Sequence, residues 1–412
     1  MNNNLLQDKI QREAVQAWIN SGKRSTCEII TGLGKTITSL HALYTMPKDD
    51  KVHIFLAEVT DRQKDLNNDI EKYNKLFNVN VLEDYNLIFS TYQSAYKYKD
   101  KQYGLVIADE LPDSLSPQYS KFYYNNKYDA IIGLSATINR KTEYIINNKV
   151  VTKGDLLDEI APVCFTYTVN QGQLDGTSRK LNIYIIKHEL DNVTKNIKAG
   201  NKFKSFLQTE FQSYDYWDKQ FKKNLFLQPK EDEDISKFEV IKNIKIQNAS
   251  NRRKDLLYKL PSKVKVVKKL LNNIKGKTIL FGNSIDSLLD ITPNTVSSRK
   301  SKEQNEAIRE AFDNNKINTI ASFKKLEQGA NLKELDNVIL HSYYSIEGKI
   351  IQRAGRNRMN GDKVGNLFIL CTVNSQEEIW LSKAIQNFTE YNIINCENVD
   401  DCIKQYKLNE TN

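Results

Sequence analysis

EIITGLGKT, residues 28–36, is the stretch that decides the fold. An apolar run ends, a glycine-rich turn follows, and ITSLHALY (37–44) reads as a helix. Gly32 and Gly34 let backbone amides approach an oxyanion without a Cβ in the way. The start of the helix adds a favourable dipole, so the segment reads as a phosphate-binding loop. In such a loop Lys35 reaches the β- and γ-phosphates of a nucleotide, and the Thr36 hydroxyl coordinates Mg²⁺. The strict pattern GxxxxGK[ST] asks for glycine at position 29, where this chain has Ile29.

A loop of this kind calls for a second strand that ends in an acid. LVIADE (105–110) supplies it. Asp109 is the candidate for holding Mg²⁺, and Glu110 for orienting and deprotonating an attacking water. Working outward, ten short runs rich in β-branched residues read as buried strands: 27–31, 52–58, 86–91, 103–110, 130–137, 181–189, 277–283, 317–323, 337–344 and 366–372. Helix-length polar segments such as 61–76 and 301–315 separate many of them. Strand–helix alternation argues for parallel α/β sheets, and ten strands fit two sheets better than one.

The alternation predicts a first lobe over 1–170, a second over 171–390 and a short polar tail at 391–412. The stretch 191–255 breaks the pattern and reads as a helical insertion in the second lobe. Within it, Tyr214, Tyr216 and Trp217 read as a small local core, with stacking on nucleic-acid bases as the alternative.

The chain has 412 residues, enough for two or three domains. With 40% hydrophobic residues it is too apolar to be disordered throughout. No run approaches the ~18 apolar residues of a spanning helix, and MNNNLLQDKIQREAV lacks the apolar stretch of a signal peptide. A cytoplasmic protein without a membrane partner is therefore expected. The five cysteines show no CxxC and the four histidines no HExxH, which speaks against a zinc site or a disulfide framework. Sixty basic against 51 acidic residues give a net charge of +9. That favours polyanionic partners, although a Lys-, Asn- and Ile-rich composition produces the same charge without them.

Taken in order, the motifs resemble those of the superfamily 2 helicases, the DExH-box ATPases with two RecA-like lobes. Gln11 in IQREAV resembles the glutamine that reads adenine, and TGLGKT (31–36) resembles motif I. LAEVTDRQKDLNNDIEKYN (56–74) is similar to motif Ia of phage-encoded members, with Ala-Glu in place of Pro-Thr. FSTYQSAY (89–96), ADEL (108–111) and LSAT (134–137) follow as the TTYQS element and motifs II and III. ILFGNS (279–284), SFKKLEQGANLKELDNVI (322–339) and IIQRAGRNRM (350–359) resemble motifs IV, V and VI.

The resemblance implies ATP and Mg²⁺ as cofactors, held between the lobes. It implies Gln11, Thr31, Gly32, Leu33, Gly34, Lys35, Thr36, Gly329 and Asn331 as nucleotide contacts, and Thr36 and Asp109 at the metal. Gln352 positions nucleotide or water, and an arginine finger comes from Arg353, Arg356 or Arg358, with Arg356 ranked first. Thr91, Gln93, Asn283 and Ser322 stand where the family touches strand phosphates. The Ser-Ala-Thr of motif III links the two sites. The implied activity is helicase action, on DNA rather than RNA, with replication or repair proteins as partners and, for a phage protein, the host cytoplasm as location. Two alternatives stand beside it: a double-stranded DNA translocase that does not separate strands, and an ATP-gated clamp with little hydrolysis. The departures are Asp-Glu-Leu-Pro in motif II, where Pro112 cannot hydrogen-bond as His does, leaving Asp113 to relay, and an Arg358 two rather than three residues beyond Arg356.

Overall fold

A computed structural model describes residues 3–411 apart from 31, 61, 137, 147–148, 178–180, 201–203, 230–233, 324–334, 344–363 and 386–392. The chain divides between residues 180 and 181 into two compact units. Each is built on one fully parallel sheet.

The first unit carries β1 (Arg24–Ile29), β2 (Val52–Ala57), β3 (Asn86–Thr91), β4 (Gln102–Asp109) and β5 (Lys127–Ser135). A small antiparallel pair follows, β6 (Glu143–Ile146) with β7 (Lys149–Thr152), and then β8 (Val163–Tyr167). The sheet runs β3-β2-β4-β5-β1-β8. Its central strands are apolar end to end because both faces are covered: every residue of β4 after Gln102 is buried. Helix α1 (Asn3–Asn20) is fixed by Trp18, which is fully buried and donates its indole N–H to the Ile131 carbonyl at 2.8 Å. Helices α2 (Lys35–Leu43) and α3 (Arg62–Phe77) follow β1 and β2.

The second unit begins with β9 (Leu181–His188) and an antiparallel pair, β10 (Ile197–Gly200) with β11 (Ser205–Gln208). Helices α4 (Glu210–Leu225), α5 (Ile235–Tyr258) and α6 (Pro261–Leu271) come next. The remaining strands are β12 (Thr278–Phe281), β13 (Thr295–Val296), β14 (Thr319–Ser322), β15 (Asn337–Leu340), β16 (Gly365–Thr372) and β17 (Ile393–Cys396), with α7 (Val399–Thr411) at the end. The order is β13-β14-β12-β15-β16-β9-β17. Tyr184 stacks on Phe368 with ring centroids 4.9 Å apart, and Tyr406 of α7 closes the cluster.

All ten expected runs form strands, which gives the two-sheet α/β architecture read from the sequence. Several features differ from the reading, among them the unread β6–β7 pair and the short β13. The 191–255 stretch opens with the β10–β11 pair before its helices, and α5 continues to Tyr258. Residues expected as a polar tail instead supply β17, paired to β9, and α7. The strand β8 went unread because its VCFTY is only partly buried on the edge of the sheet, so its pattern carries little apolar signal. No described helix is long and apolar enough to cross a membrane.

The interior of the second unit contains ionisable groups. Lys263 Nζ lies 2.6 Å from both carboxylate oxygens of Glu377, with both side chains fully buried. Glu377 also accepts from the Thr372 amide at 2.9 Å, which satisfies the charge that burial would otherwise penalise. His188 shares a 2.8 Å hydrogen bond with Ser262 Oγ, while His341 is fully buried. Burial, then the nearby Lys263 charge, pushes both imidazoles down to about 3 from the usual 6.5. Both are therefore neutral when folded. Below about pH 6.5 the unfolded chain takes up protons that the folded one refuses, so stability present above pH 6.5 is lost as pH falls toward 3. Each histidine should remove up to about 1.4 kcal/mol per pH unit in that window. Urea unfolding of the second unit at neutral and mildly acidic pH checks this, and a midpoint independent of pH would contradict it.

Candidate functional site

The strand order generates a site at the carboxyl end of the first sheet. Strand β5 lies between β1 and β4, pairing Glu28 with Ser135 on one side and Asp109 with Leu134 on the other. The loop after β1 and the acids at the end of β4 thus emerge along one edge, where parallel sheets place ligands.

The loop has the geometry its glycines suggested. Gly32 has φ 96° and Gly34 φ 75°, both left-handed. Gly34 caps α2, and a Cβ there would come 2.6 Å from Gln11 Nε2. Gln11 is itself buried and donates to the Leu33 carbonyl at 2.7 Å, so α1 holds the loop from behind. Lys35 and Thr36 are the first two residues of α2.

Lys35 forms an ion pair with Glu110. Glu110 adopts φ 53° and ψ 54°, a left-handed conformation that a residue with a side chain rarely takes. Its carbonyl accepts from the Asp113 amide at 2.9 Å, and its second carboxylate oxygen accepts from Ser135 Oγ at 2.9 Å. The Ser-Ala-Thr segment therefore reaches the acid directly through Ser135. Pro112 sits inside the short turn Leu111–Ser114 and is buried, which fits a residue with no N–H to offer. Tyr92 donates to the Asp109 carbonyl at 2.9 Å and ties the end of β3 to the end of β4.

Arg62, the first residue of α3, had not been singled out. Its Nε donates to Asp109 Oδ2 at 2.7 Å and its Nη2 to Thr36 Oγ1 at 2.5 Å. Asp65 and Asp69 lie within 4.0 Å of the same guanidinium. Burial opposes its charge, but Asp109, then Asp69 and Asp65, outweigh this and raise its pKa above the ordinary arginine value. The hydroxyl and carboxylate expected to share a metal ion are thus already converged on one cation. Oxygen donors of this kind suit Mg²⁺, and Thr36 and Asp109 would hold it. Among the described residues no group of three or more His, Cys, Asp or Glu is placed to bind a metal.

The other expected contacts fall at strand ends. Thr91, at the end of β3, is buried with its hydroxyl 3.3 Å from Ser94 Oγ, while Gln93 is exposed. In the second unit Asn283 follows β12, with its amide donating to Ser342 Oγ at 2.8 Å. Ser322 ends β14 and is fully buried. Thr31, Gly329, Asn331, Gln352, Arg353, Arg356 and Arg358 lie outside the described residues. Arg62 was missed because a lone arginine ahead of a charged helix has no motif of its own. The only available signal was its position just past β2, the strand next to β4.

Residues 5–140 match the family model for the type III restriction enzyme res subunit, and residues 262–360 match that for the helicase conserved C-terminal domain. No curated protein shows significant similarity to the chain. Among solved structures, the ATP-dependent type ISP restriction-modification enzyme LlaBIII bound to DNA superposes with a TM-score of 0.60 at 13% identity over 97% of this chain. This chain spans only 32% of that one. Dbp5 of S. cerevisiae, bound to RNA and ADP BeF3, gives 0.60 at 12% identity over 98% of this chain and 93% of its own. The Hef helicase domain of Pyrococcus furiosus gives 0.51 at 12% identity, covering 92% and 98%. At such identities these likenesses speak for the fold, two RecA-like domains. The chain thus carries, in order, a segment similar to the type III restriction enzyme res subunit and a segment similar to the helicase conserved C-terminal domain.

Proposed function

We propose that this protein is an ATP-hydrolysing helicase that couples turnover of Mg-ATP to movement along DNA. The observation that carries the reading is the convergence of Lys35, Thr36, Asp109 and Glu110 at one sheet edge. In this reading Gln11 contacts adenine, the loop amides with Leu33 and Lys35 hold the phosphates, and Glu110 positions the attacking water. By the motif resemblance Arg356 is the arginine finger, with Arg353, Arg358 and Gln352 as the other motif VI residues, and Gly329 and Asn331 of motif V contact the nucleotide. Thr91, Gln93, Asn283 and Ser322 grip the strand backbone. DNA is favoured by the res-subunit domain and by the DNA-bound restriction enzyme, whereas Dbp5 is bound to RNA. Ala57-Glu58 in place of Pro-Thr supports a phage-type DExH member acting in a host cytoplasm.

Two substitutions separate the roles. Lys35→Ala should remove nucleotide binding and turnover together. Glu110→Gln should keep binding while lowering turnover by about 10²–10⁴-fold, the usual size of a general-base effect. Phosphate release with and without single-stranded DNA, alongside titration with a fluorescent nucleotide, checks both. Normal turnover in either variant would end the assignment. Arg356→Ala should cut hydrolysis by about 10³–10⁵-fold and spare affinity. The same domain pairing also supports a translocase that moves on duplex DNA without opening it. Unwinding of a tailed duplex, set against displacement of a third strand, decides between them.

Arg62 adds a prediction of its own. It must leave Thr36 and Asp109 before either can take a metal ion. Charge-assisted hydrogen bonds contribute about 1.5–3 kcal/mol each, so Arg62→Ala should tighten binding of the magnesium nucleotide by about tenfold or more. It should also lower thermal stability of the nucleotide-free protein, because Asp109 loses its partner. Weaker binding in the variant would make Arg62 a nucleotide contact instead.

A further inference from the structure

The insertion of the second unit carries a groove that the ATP reading leaves unused. Helices α4 and α5 are clamped together by Arg253, which pairs with Asp218 at 2.5 Å and lies 3.8 Å over the Phe221 ring. Two cavities open beside this clamp, one of about 840 Å³ against the β10–β11 pair and one of about 600 Å³ between the helices. Tyr216, Trp217 and Arg252 line both, so the two adjoin across these side chains as a two-part trough.

Its chemistry is one-sided. Among the described residues, Lys198, Lys204, Lys223, Lys245, Arg252 and Lys259 line it, against a single acid, Asp255. Two of its aromatic rings are available, Tyr216 and Phe206 at 49% exposure each, and Trp217 is half-buried beside them. Tyr216 and Trp217 meet edge to face at 5.0 Å, with the Arg252 guanidinium 5.9 Å from the Trp217 ring. The expected local core holds only for Tyr214, which is buried and accepts from the Gln376 amide at 2.9 Å. Cationic side chains flanking exposed ring faces suit a polyanion that also presents flat apolar faces.

We propose that this trough is an accessory binding site for single-stranded nucleic acid. Unpaired bases stack on Tyr216, Trp217 and Phe206, and phosphates run along the lysines and Arg252. Duplex bases are already stacked on one another, so the site selects strands that have been opened. The proposal goes beyond the ATPase reading and uses none of the residues assigned to it.

The test uses the full chain without nucleotide and a fluorescent 20-mer of deoxythymidine. Stacking contributes about 1–3 kcal/mol per base, so the double variant Y216A/W217A should bind at least tenfold more weakly in fluorescence anisotropy. Trp18 and Trp380 are buried, so the intrinsic fluorescence quenched on binding should come from Trp217 and vanish in W217F. K198E/K259E should weaken binding and flatten its salt dependence while leaving the aromatic pair in place. Unchanged affinity and quenching in variants that melt like the parent would overturn the proposal. So would equal affinity for blunt duplex, or competition by polyglutamate as strong as by the oligonucleotide, which would point to an acidic protein partner. Nucleic-acid-free ATP turnover should match the parent in all these variants, which separates this outcome from failure of the ATPase assignment.

Discussion

The position of β5 between β1 and β4 is the constraint on which the candidate site depends. Parallel strands bury both faces, so polar groups can gather only where strands end. Inserting one strand between the loop-bearing strand and the acid-bearing strand opens a crevice of fixed width between them. Gly133 marks how tightly that strand is held: a Cβ there would lie 2.4 Å from Thr26 Oγ1 and 2.6 Å from Leu111 Cδ2. The backbone of β5 is drawn in until only glycine fits, and Ser135, two residues on, meets Glu110. Packing at Gly133 and chemistry at Ser135 are two results of the same close approach.

Charge in the site follows from that geometry. Three carboxylates, Asp65, Asp69 and Asp109, surround Arg62, while Lys35 faces Glu110. Arg62 meets Asp65 and Asp69 of its own helix and Asp109 of β4, and Lys35 meets Glu110, so the crevice is balanced by side chains that a ligand would have to rearrange. The left-handed backbone at Glu110 belongs to the same economy, since strain at a strand end directs the carboxylate toward Lys35 and Ser135.

Much of this was legible in the residues. Strands such as VHIFLA and LVIAD announce themselves because burial on both faces forces an unbroken apolar run. TGLGKT and ADE announce the crevice because few other residue types do that work. What stayed hidden depended on partners distant in sequence. The edge strand IINC looked like tail because its identity comes from pairing with β9. Arg62 stayed unread because Asp109 and Thr36, on two other elements, reach it only in the folded sheet. Tyr216 and Trp217 follow a similar rule: their sequence announced aromatic helix, and only the opposing Lys245 and Arg252 of α5 gave that face a character.

The pairing of β9 has a consequence for how the polypeptide is made. Leu181 pairs with Gly365, and Ile183 with Ile393 as well, so the strand that opens the second sheet waits for partners synthesised far later. The first sheet is closed by β8, before residue 180. On a ribosome the amino-terminal half can fold while β9 is still an unpaired apolar ribbon. That interval, and the slow closure of so long a loop, is when the nascent chain is most open to capture by chaperones or by a neighbouring copy of itself.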